Sequence, residues 1–88
     1  MNVAVADAGG SVLVVSAFTL MADARKGRRP ALTAAASPQV AEPLYERFCN
    51  RLAESALPTA RGRFGAMMEV RAVNDGPICI LLDSSRLF

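Results

Sequence analysis

The densest group of charged side chains in this 88-residue sequence is a basic cluster made up of Arg25, Lys26, Arg28 and Arg29. Cations grouped in this way bind phosphates, and the resulting affinity falls steeply as the salt concentration rises. The net charge of the whole chain is only +2, so a nucleic-acid contact has to come from a local cluster of this kind. A solvated loop without a ligand is the alternative interpretation of the same residues.

The sequence contains no histidine, which restricts the possible chemistry more than any other count. Ser-His-Asp and Cys-His catalysis are excluded, so a hydrolytic reaction has to proceed without an imidazole base. The two cysteines, Cys49 and Cys79, cannot form a closed zinc site without further Cys or His ligands. We expect both to be core thiols rather than nucleophiles, and we expect neither a metal nor another cofactor.

Hydrophobic side chains make up 52% of the chain and charged side chains 20%. A chain this short buries a limited share of its surface, so we expect part of the apolar surface to be covered by something else. Residues 12–20 come nearest to a membrane span, but Ser16 and Thr19 interrupt them. The sequence shows neither an export signal nor a disulfide framework, which predicts a protein of the reducing cytoplasm.

Two strands and a long loop are predicted for the first part of the chain. Residues 11–16 are β-branched and largely apolar, which is typical of a buried central strand. Residues 2–6 are the expected partner strand, joined to it by a turn at Gly9 and Gly10. Residues 22–36 lack apolar periodicity and contain turn-forming residues, which predicts an exposed loop that presents the basic cluster.

An amphipathic helix is predicted in the middle of the chain. Ser37 is a typical N-cap residue, and Pro38 suits the first turn of a helix. Apolar side chains then recur along one face, which we expect to pack on the sheet: Val40, Leu44, Phe48 and Leu52. Pro43 cannot donate a backbone hydrogen bond, so the secure part of the helix is predicted at residues 43–55.

Two further strands are expected after the helix. Residues 67–73 alternate imperfectly between polar and apolar, and residues 78–82 form a buried run after a turn at residues 74–77. We expect residues 78–82 to lie beside residues 11–16 in the sheet. The order of the elements predicts one α+β domain over residues 1–88, with a mixed or largely antiparallel sheet and one main helix.

Short strings spread over the whole chain resemble the D-aminoacyl-tRNA deacylases, also called D-tyrosyl-tRNA deacylases. They occur in the family's order: Leu13-Val14-Val15-Ser16, Phe18-Thr19-Leu20, Arg25-Lys26-Gly27-Arg28-Arg29-Pro30, Thr33-Ala34-Ala35-Ala36, Glu42-Pro43-Leu44-Tyr45, Gly62-Arg63-Phe64-Gly65-Ala66, Asn74-Asp75-Gly76-Pro77 and Leu81-Leu82-Asp83-Ser84. The common order makes the signal strong. The resemblance implies a homodimeric enzyme of translation quality control that hydrolyses the ester bond of D-aminoacyl-tRNA. Glycyl-tRNA mischarged on tRNA(Ala) is a further substrate that it implies.

The resemblance implies a catalytic role for a group of hydroxyl residues. The family motif Ser-Gln-Phe-Thr matches at Ser16, Phe18 and Thr19, while Ala17 replaces the glutamine. Thr33 lies in a string that the family places near the pocket. Hydroxyl donors can stabilise a developing oxyanion, and the 2′-hydroxyl of the RNA can assist where no side-chain base is present. The alternative is that these hydroxyls only satisfy backbone groups at the end of a strand.

The resemblance also implies a chirality gate. The family motif Asn-x-Gly-Pro-Val-Thr matches at Asn74, Gly76 and Pro77, while Ile78 and Cys79 depart from it. In this gate a cis Gly-Pro bond of one subunit enters the partner's pocket, beside the strand end, and blocks an L side chain. Glycine permits the close approach, and proline permits the cis bond. An ordinary turn is the alternative.

The same resemblance implies that tRNA is bound by the basic cluster of Arg25, Lys26, Arg28 and Arg29. In the family, a string like Met1-Asn2-Val3 lies well inside the protein. We therefore expect a truncated form of the barrel-like deacylase fold, weakly folded or self-associating because apolar faces and a strand edge are uncovered. The alternative function is a non-catalytic remnant that keeps only a dimerisation or tRNA-binding surface.

Overall fold

Four elements of regular structure follow one another along the chain. The computed structural model describes residues 1–86, with strand β1 (Val12–Val14), a 3₁₀ helix (Phe18–Met21), helix α1 (Pro38–Glu54) and strand β2 (Thr59–Arg61). One long helix beside a small sheet confirms the predicted α+β class. The barrel-like body stays a prediction, because the sheet of the described residues has two strands.

Helix α1 begins earlier than its internal proline suggested. Ser37 has an extended backbone, and its carbonyl oxygen accepts from the amides of Val40 and Ala41 at 3.0 and 2.8 Å. Pro38 lies in the first turn, where a missing N–H has no intrahelical partner to lose. Pro43 removes only one backbone donor, and the helix continues through it. The predicted helix is confirmed, with Ser37 and Pro38 at its start as predicted, and it is also helical before the secure part that was predicted from residue 43.

The side of α1 that packs against the rest of the chain is not the predicted side. Val40, Leu44 and Phe48 are 54, 58 and 57% exposed. The buried or half-buried positions are instead Ala41, Tyr45, Glu46, Cys49 and Leu52. A shift of one residue turns a helix by about 100°, so the core-facing stripe lies beside the predicted one and shares only Leu52. The spacing of apolar residues could not show which stripe of the helix packs, because the two adjacent stripes are both apolar.

The sheet is parallel, and its second strand was not predicted. Val12 pairs with Thr59, Leu13 with Ala60 and Val14 with Arg61. The predicted strand at residues 11–16 is confirmed at its centre, whereas the expected antiparallel or mixed pairing is wrong for the described residues. Helix α1 connects the two strands, and a crossover of this length is what parallel neighbours require.

The core of the described residues is small and lies between α1 and β2. Cys49 is 3% exposed, which confirms it as a core thiol, and Leu57 is 8% exposed. The rings of Tyr45 and Phe64 are 5.8 Å apart and extend the contact at one side. The helix ends where the left-handed Ala56, with φ of 58°, turns the chain back and brings Leu57 under it.

Three predicted strands do not form. Residues 2–6 join a turn in which the amides of Ala8 and Gly10 donate to the carbonyls of Ala4 and Val5. Residues 67–73 and 78–82 have no regular structure, and most of their apolar side chains are exposed. The predicted burial of 78–82 beside β1 is therefore wrong. A strand needs a neighbouring edge that supplies hydrogen-bond partners, and within residues 1–86 β1 pairs only with β2.

Among the described residues, no helix has both the length and the apolar character needed to cross a membrane.

Candidate functional site

The hydroxyls that were predicted from the first motif lie together just beyond strand β1. The strand ends at Val14, Ser16 is half-buried two residues later, and Ala17 is extended before the chain enters the 3₁₀ helix. That helix carries Phe18 and Thr19, both of them exposed. Within residues 1–86 neither the Ser16 nor the Thr19 hydroxyl makes a hydrogen bond, so both remain available to a ligand.

Tyr45 fixes the position of this strand end, and it was not among the predicted site residues. Its hydroxyl lies 2.7 Å from the carbonyl oxygen of Gly62 and 3.2 Å from that of Val14, and donates its single proton to this pair. The amide of Gly62 also donates to Val14 O at 2.8 Å. Burial, followed by the neighbouring Cys49, raises the pKa of Tyr45 above its usual value, so the phenol keeps the proton it donates. A single tyrosine inside an otherwise apolar helix stripe was the available signal.

A cleft of about 770 Å³ opens beside the 3₁₀ helix. One wall contains Leu20 and Met21, and the opposite wall is formed by residues 80–83. Thr33 does not line this cleft; it lies exposed on a turn, while its neighbour Ala34 lines the wall. The exposed apolar residues of the C-terminal segment thus form one side of a groove rather than a buried strand.

The predicted basic loop is present, and an antiparallel bridge closes its base. The amide of Asp23 donates to the carbonyl of Ala31, and the amide of Ala31 donates back to Asp23, both at 2.8 Å. Arg25 is exposed like the rest of the cluster, but its guanidinium binds the Asp23 carboxylate through Nε at 2.9 Å and Nη2 at 2.7 Å. The side-chain hydrogen bonds from Arg25 lower the pKa of Asp23 from 3.8 to about 2. The remainder of the cluster, which is also exposed, is Lys26, Arg28 and Arg29.

The predicted gate residues lie on an exposed turn. Asn74, Gly76 and Pro77 are all exposed, and a Cβ built on Gly76 would meet no atom within 4 Å. Gly76 has a φ of +58°, a conformation that favours glycine. The described residues contain no cis peptide bond, so the expected cis geometry at Gly76–Pro77 is absent from this chain on its own. Within the described residues no surface packs against this turn, so no contact there favours the rarer cis isomer.

The two cysteines differ in their surroundings. Cys49 is buried on α1, whereas Cys79 is exposed, so the prediction that both are core thiols is wrong for Cys79. A second cleft, of about 510 Å³, is lined in part by the Arg61–Glu46 ion pair. Among residues 1–86 no group of three or more His, Cys, Asp or Glu side chains is placed to hold a metal ion.

The fold and the candidate site together define a small α+β domain with free hydroxyls at a strand end, an adjoining groove and a basic loop. Residues 1–83 match the D-Tyr-tRNA(Tyr) deacylase family, and the chain belongs to that family. The predicted resemblance is therefore confirmed.

Several curated relatives are similar to the chain along all or nearly all of its length. A D-aminoacyl-tRNA deacylase of Anaeromyxobacter dehalogenans is 58% identical over all 88 residues, which cover 59% of that relative. Proteins with the same name from Desulforudis audaxviator and Thermotoga petrophila are 57 and 54% identical over all 88 residues, again with 59% of each relative covered. The chain thus spans about three-fifths of the length of these relatives.

Proposed function

We propose that this chain takes part in the hydrolysis of the ester bond of D-aminoacyl-tRNA, which releases a free D-amino acid and tRNA during translation quality control in the cytoplasm. The observation that carries the proposal is the pair of unbonded hydroxyls at Ser16 and Thr19, held at a strand end by Tyr45. Membership of the deacylase family and the names of the relatives support the substrate class.

The chemistry follows from what the strand end can and cannot supply. Water attacks the ester carbonyl, and the negative charge that develops on its oxygen needs hydrogen-bond donors, which Ser16 and Thr19 provide. The chain has no histidine, so no imidazole takes the proton of the attacking water; the 2′-hydroxyl of the terminal ribose or a solvent molecule relays that proton to the ribose oxygen, which leaves as the ester bond breaks. The exposed Phe18 lies in the 3₁₀ helix beside Thr19.

Discrimination between D and L esters is assigned to the turn at residues 74–77. In a homodimer, this turn of one subunit enters the groove of the other, and its main chain occupies the space that an L side chain would need. The left-handed Gly76 supports the proposal, because a turn whose apex residue has no Cβ can approach a ligand most closely. Asn74 supports it as a matching residue of the family motif. A glycyl ester has no side chain on either face, so glycyl-tRNA passes the same gate.

A second candidate function is favoured by one observation. Ala17 replaces a glutamine of the first motif, which removes a polar group from the strand end. A non-catalytic protein that keeps the tRNA-binding or dimerisation surface accounts for this replacement.

The two functions separate in one experiment. Release of labelled D-tyrosine from D-tyrosyl-tRNA is measured for the unaltered chain, for Ser16→Ala and Thr19→Val, and for Ser11→Ala as a matched control at the other end of the same strand. We expect Ser16→Ala and Thr19→Val each to lower the rate by at least about tenfold, as removal of an oxyanion donor does, and Ser11→Ala to leave it unchanged. Binding of the tRNA without release would instead support the non-catalytic function.

A further inference from the structure

Asp23 makes more hydrogen bonds than any other residue of the basic loop. Its backbone forms both hydrogen bonds of the bridge to Ala31, which closes the loop. Its carboxylate accepts from Arg25 three times: from the backbone amide at 3.0 Å, from Nε at 2.9 Å and from Nη2 at 2.7 Å. One residue therefore closes the base of the loop and orders its first turn at the same time.

This arrangement divides the four cations of the cluster into two kinds. The Nε and Nη2 groups of Arg25, which form one edge of its guanidinium, point at the Asp23 carboxylate, and its charge is balanced within the loop. Lys26, Arg28 and Arg29 are exposed, and within residues 1–86 no carboxylate pairs with them. The left-handed Gly27, with φ of +74°, turns the chain between the paired arginine and the last two free ones.

We infer that Arg25 is a positioning residue rather than a phosphate ligand, and that with Asp23 it forms a clasp that presents Lys26, Arg28 and Arg29 to the phosphates of an RNA stem. The inference rests on the proposed function and narrows it, because it takes one of the four basic residues out of the RNA interface. A loop that is already ordered loses less conformational freedom on binding, so the clasp raises affinity without making a contact.

The salt dependence of RNA binding tells a phosphate ligand from a positioning residue. The probe is a labelled RNA hairpin that reproduces an acceptor stem with a single-stranded CCA end, titrated with the full chain at several salt concentrations. Each phosphate contact contributes roughly 0.7–0.9 to the slope of log affinity against log salt. We compare Arg28→Gln with the double variant Asp23→Asn/Arg25→Gln, in which both members of the pair become neutral amides and the net charge of the loop is unchanged.

We expect Arg28→Gln to weaken binding and to reduce the slope by roughly one phosphate contact. The double variant keeps the slope of the unaltered chain, while its affinity falls about three- to tenfold because the loop is less ordered. A double variant whose slope falls as far as that of Arg28→Gln overturns the inference, since Arg25 then contacts a phosphate itself. An unchanged affinity in the double variant overturns it as well, because the clasp then contributes nothing to binding.

Hydrogen exchange tests the clasp independently of RNA. In the double variant the amide of Ala31, which donates to Asp23, is expected to exchange on the order of tenfold faster, whereas the amide of Ala41 at the start of α1 serves as an internal control and keeps its rate. Equal protection of Ala31 in both proteins overturns the clasp. If the unaltered chain does not bind the hairpin, the proposed function fails together with the role of the clasp in it, and the exchange data still decide whether the pair orders the loop.

Discussion

Two leucines provide a direct test of which side of helix α1 packs. Leu57 is 8% exposed and lies between the helix and β2, whereas Leu44 is 58% exposed on the stripe that its spacing predicted to be buried. Complete burial of a leucine side chain is worth about 1.5–3 kcal/mol. Leu57 is more than nine-tenths buried and Leu44 less than half, so truncation to alanine costs about 2–3 kcal/mol at Leu57 and about 1 kcal/mol or less at Leu44. Alanine is also the better helix former, which lowers the cost at Leu44 further.

The assay is urea unfolding of the two variants, Leu57→Ala and Leu44→Ala, followed by far-ultraviolet circular dichroism at one protein concentration. The free energies of unfolding are compared with that of the unaltered chain, whose total is on the order of 5–15 kcal/mol for an ordinary domain. The order of the two effects matters more than either value, because both variants lose the same atoms. A loss at Leu44 equal to or larger than that at Leu57 refutes the packing described above, and means that the stripe with Val40 and Phe48 is covered in solution.

Three further predictions follow from individual residues. Tyr45→Phe removes the donor to Gly62 O and Val14 O, so hydrogen exchange of the Gly62 amide is expected to accelerate and deacylation to slow; unchanged exchange would show that the hydroxyl does not hold the strand end. Arg25 lowers the pKa of Asp23 from 3.8 to about 2, so the ordering of the loop is complete above pH about 4 and is lost as the pH falls through 2. The measurement is a titration of the Asp23 carboxyl by NMR, and a midpoint near 3.8 contradicts the clasp. Gly76→Ala meets no neighbouring atom in the single chain but places an L residue at φ +58°, and we expect it to reduce the ratio of D to L ester hydrolysis or to abolish both; an unchanged ratio at an unchanged rate argues against the gate.

The parts of the fold that the sequence could predict are those fixed by local signals. Residues 12–14 are apolar, two of them β-branched valines, and form a strand, and Ser37 followed by a proline starts the helix. The absence of apolar periodicity around the basic cluster correctly indicated a loop. The order of short strings identified the family, which no single string could do.

The parts that could not be predicted depend on pairing between distant residues. Strand β2 is Thr59–Arg61, a short segment with no apolar run, and it forms because the edge of β1 supplies its hydrogen bonds. Residues 78–82 show the reverse case, since they are apolar enough for a buried strand but pair with no strand of the described residues. The local sequence pattern shows which side chains a segment could bury. Whether the segment buries them depends on the distant strand or helix that packs against it.

The candidate site, like the fold, has one part that the local sequence predicts and another that depends on distant residues. The sequence placed Ser16, Phe18 and Thr19 in one motif, and in the structure Ser16 follows the end of β1 while Phe18 and Thr19 begin the 3₁₀ helix. Neither Tyr45, which holds that end from a helix 31 residues from Val14, nor the pairing of Arg25 with Asp23 could be predicted from spacing alone. A cluster of four like charges contains no information about which member is already neutralised.

The most direct test of the proposed function is the ratio of hydrolysis rates for two substrates that differ only in chirality. D-tyrosyl-tRNA and L-tyrosyl-tRNA are each incubated with the unaltered chain, and release of labelled tyrosine is compared with spontaneous hydrolysis in buffer. The account predicts faster release from the D ester, a rate near the buffer value for the L ester, and loss of the difference in Ser16→Ala. Release of both esters at the buffer rate, by a chain that is folded by circular dichroism, would contradict it.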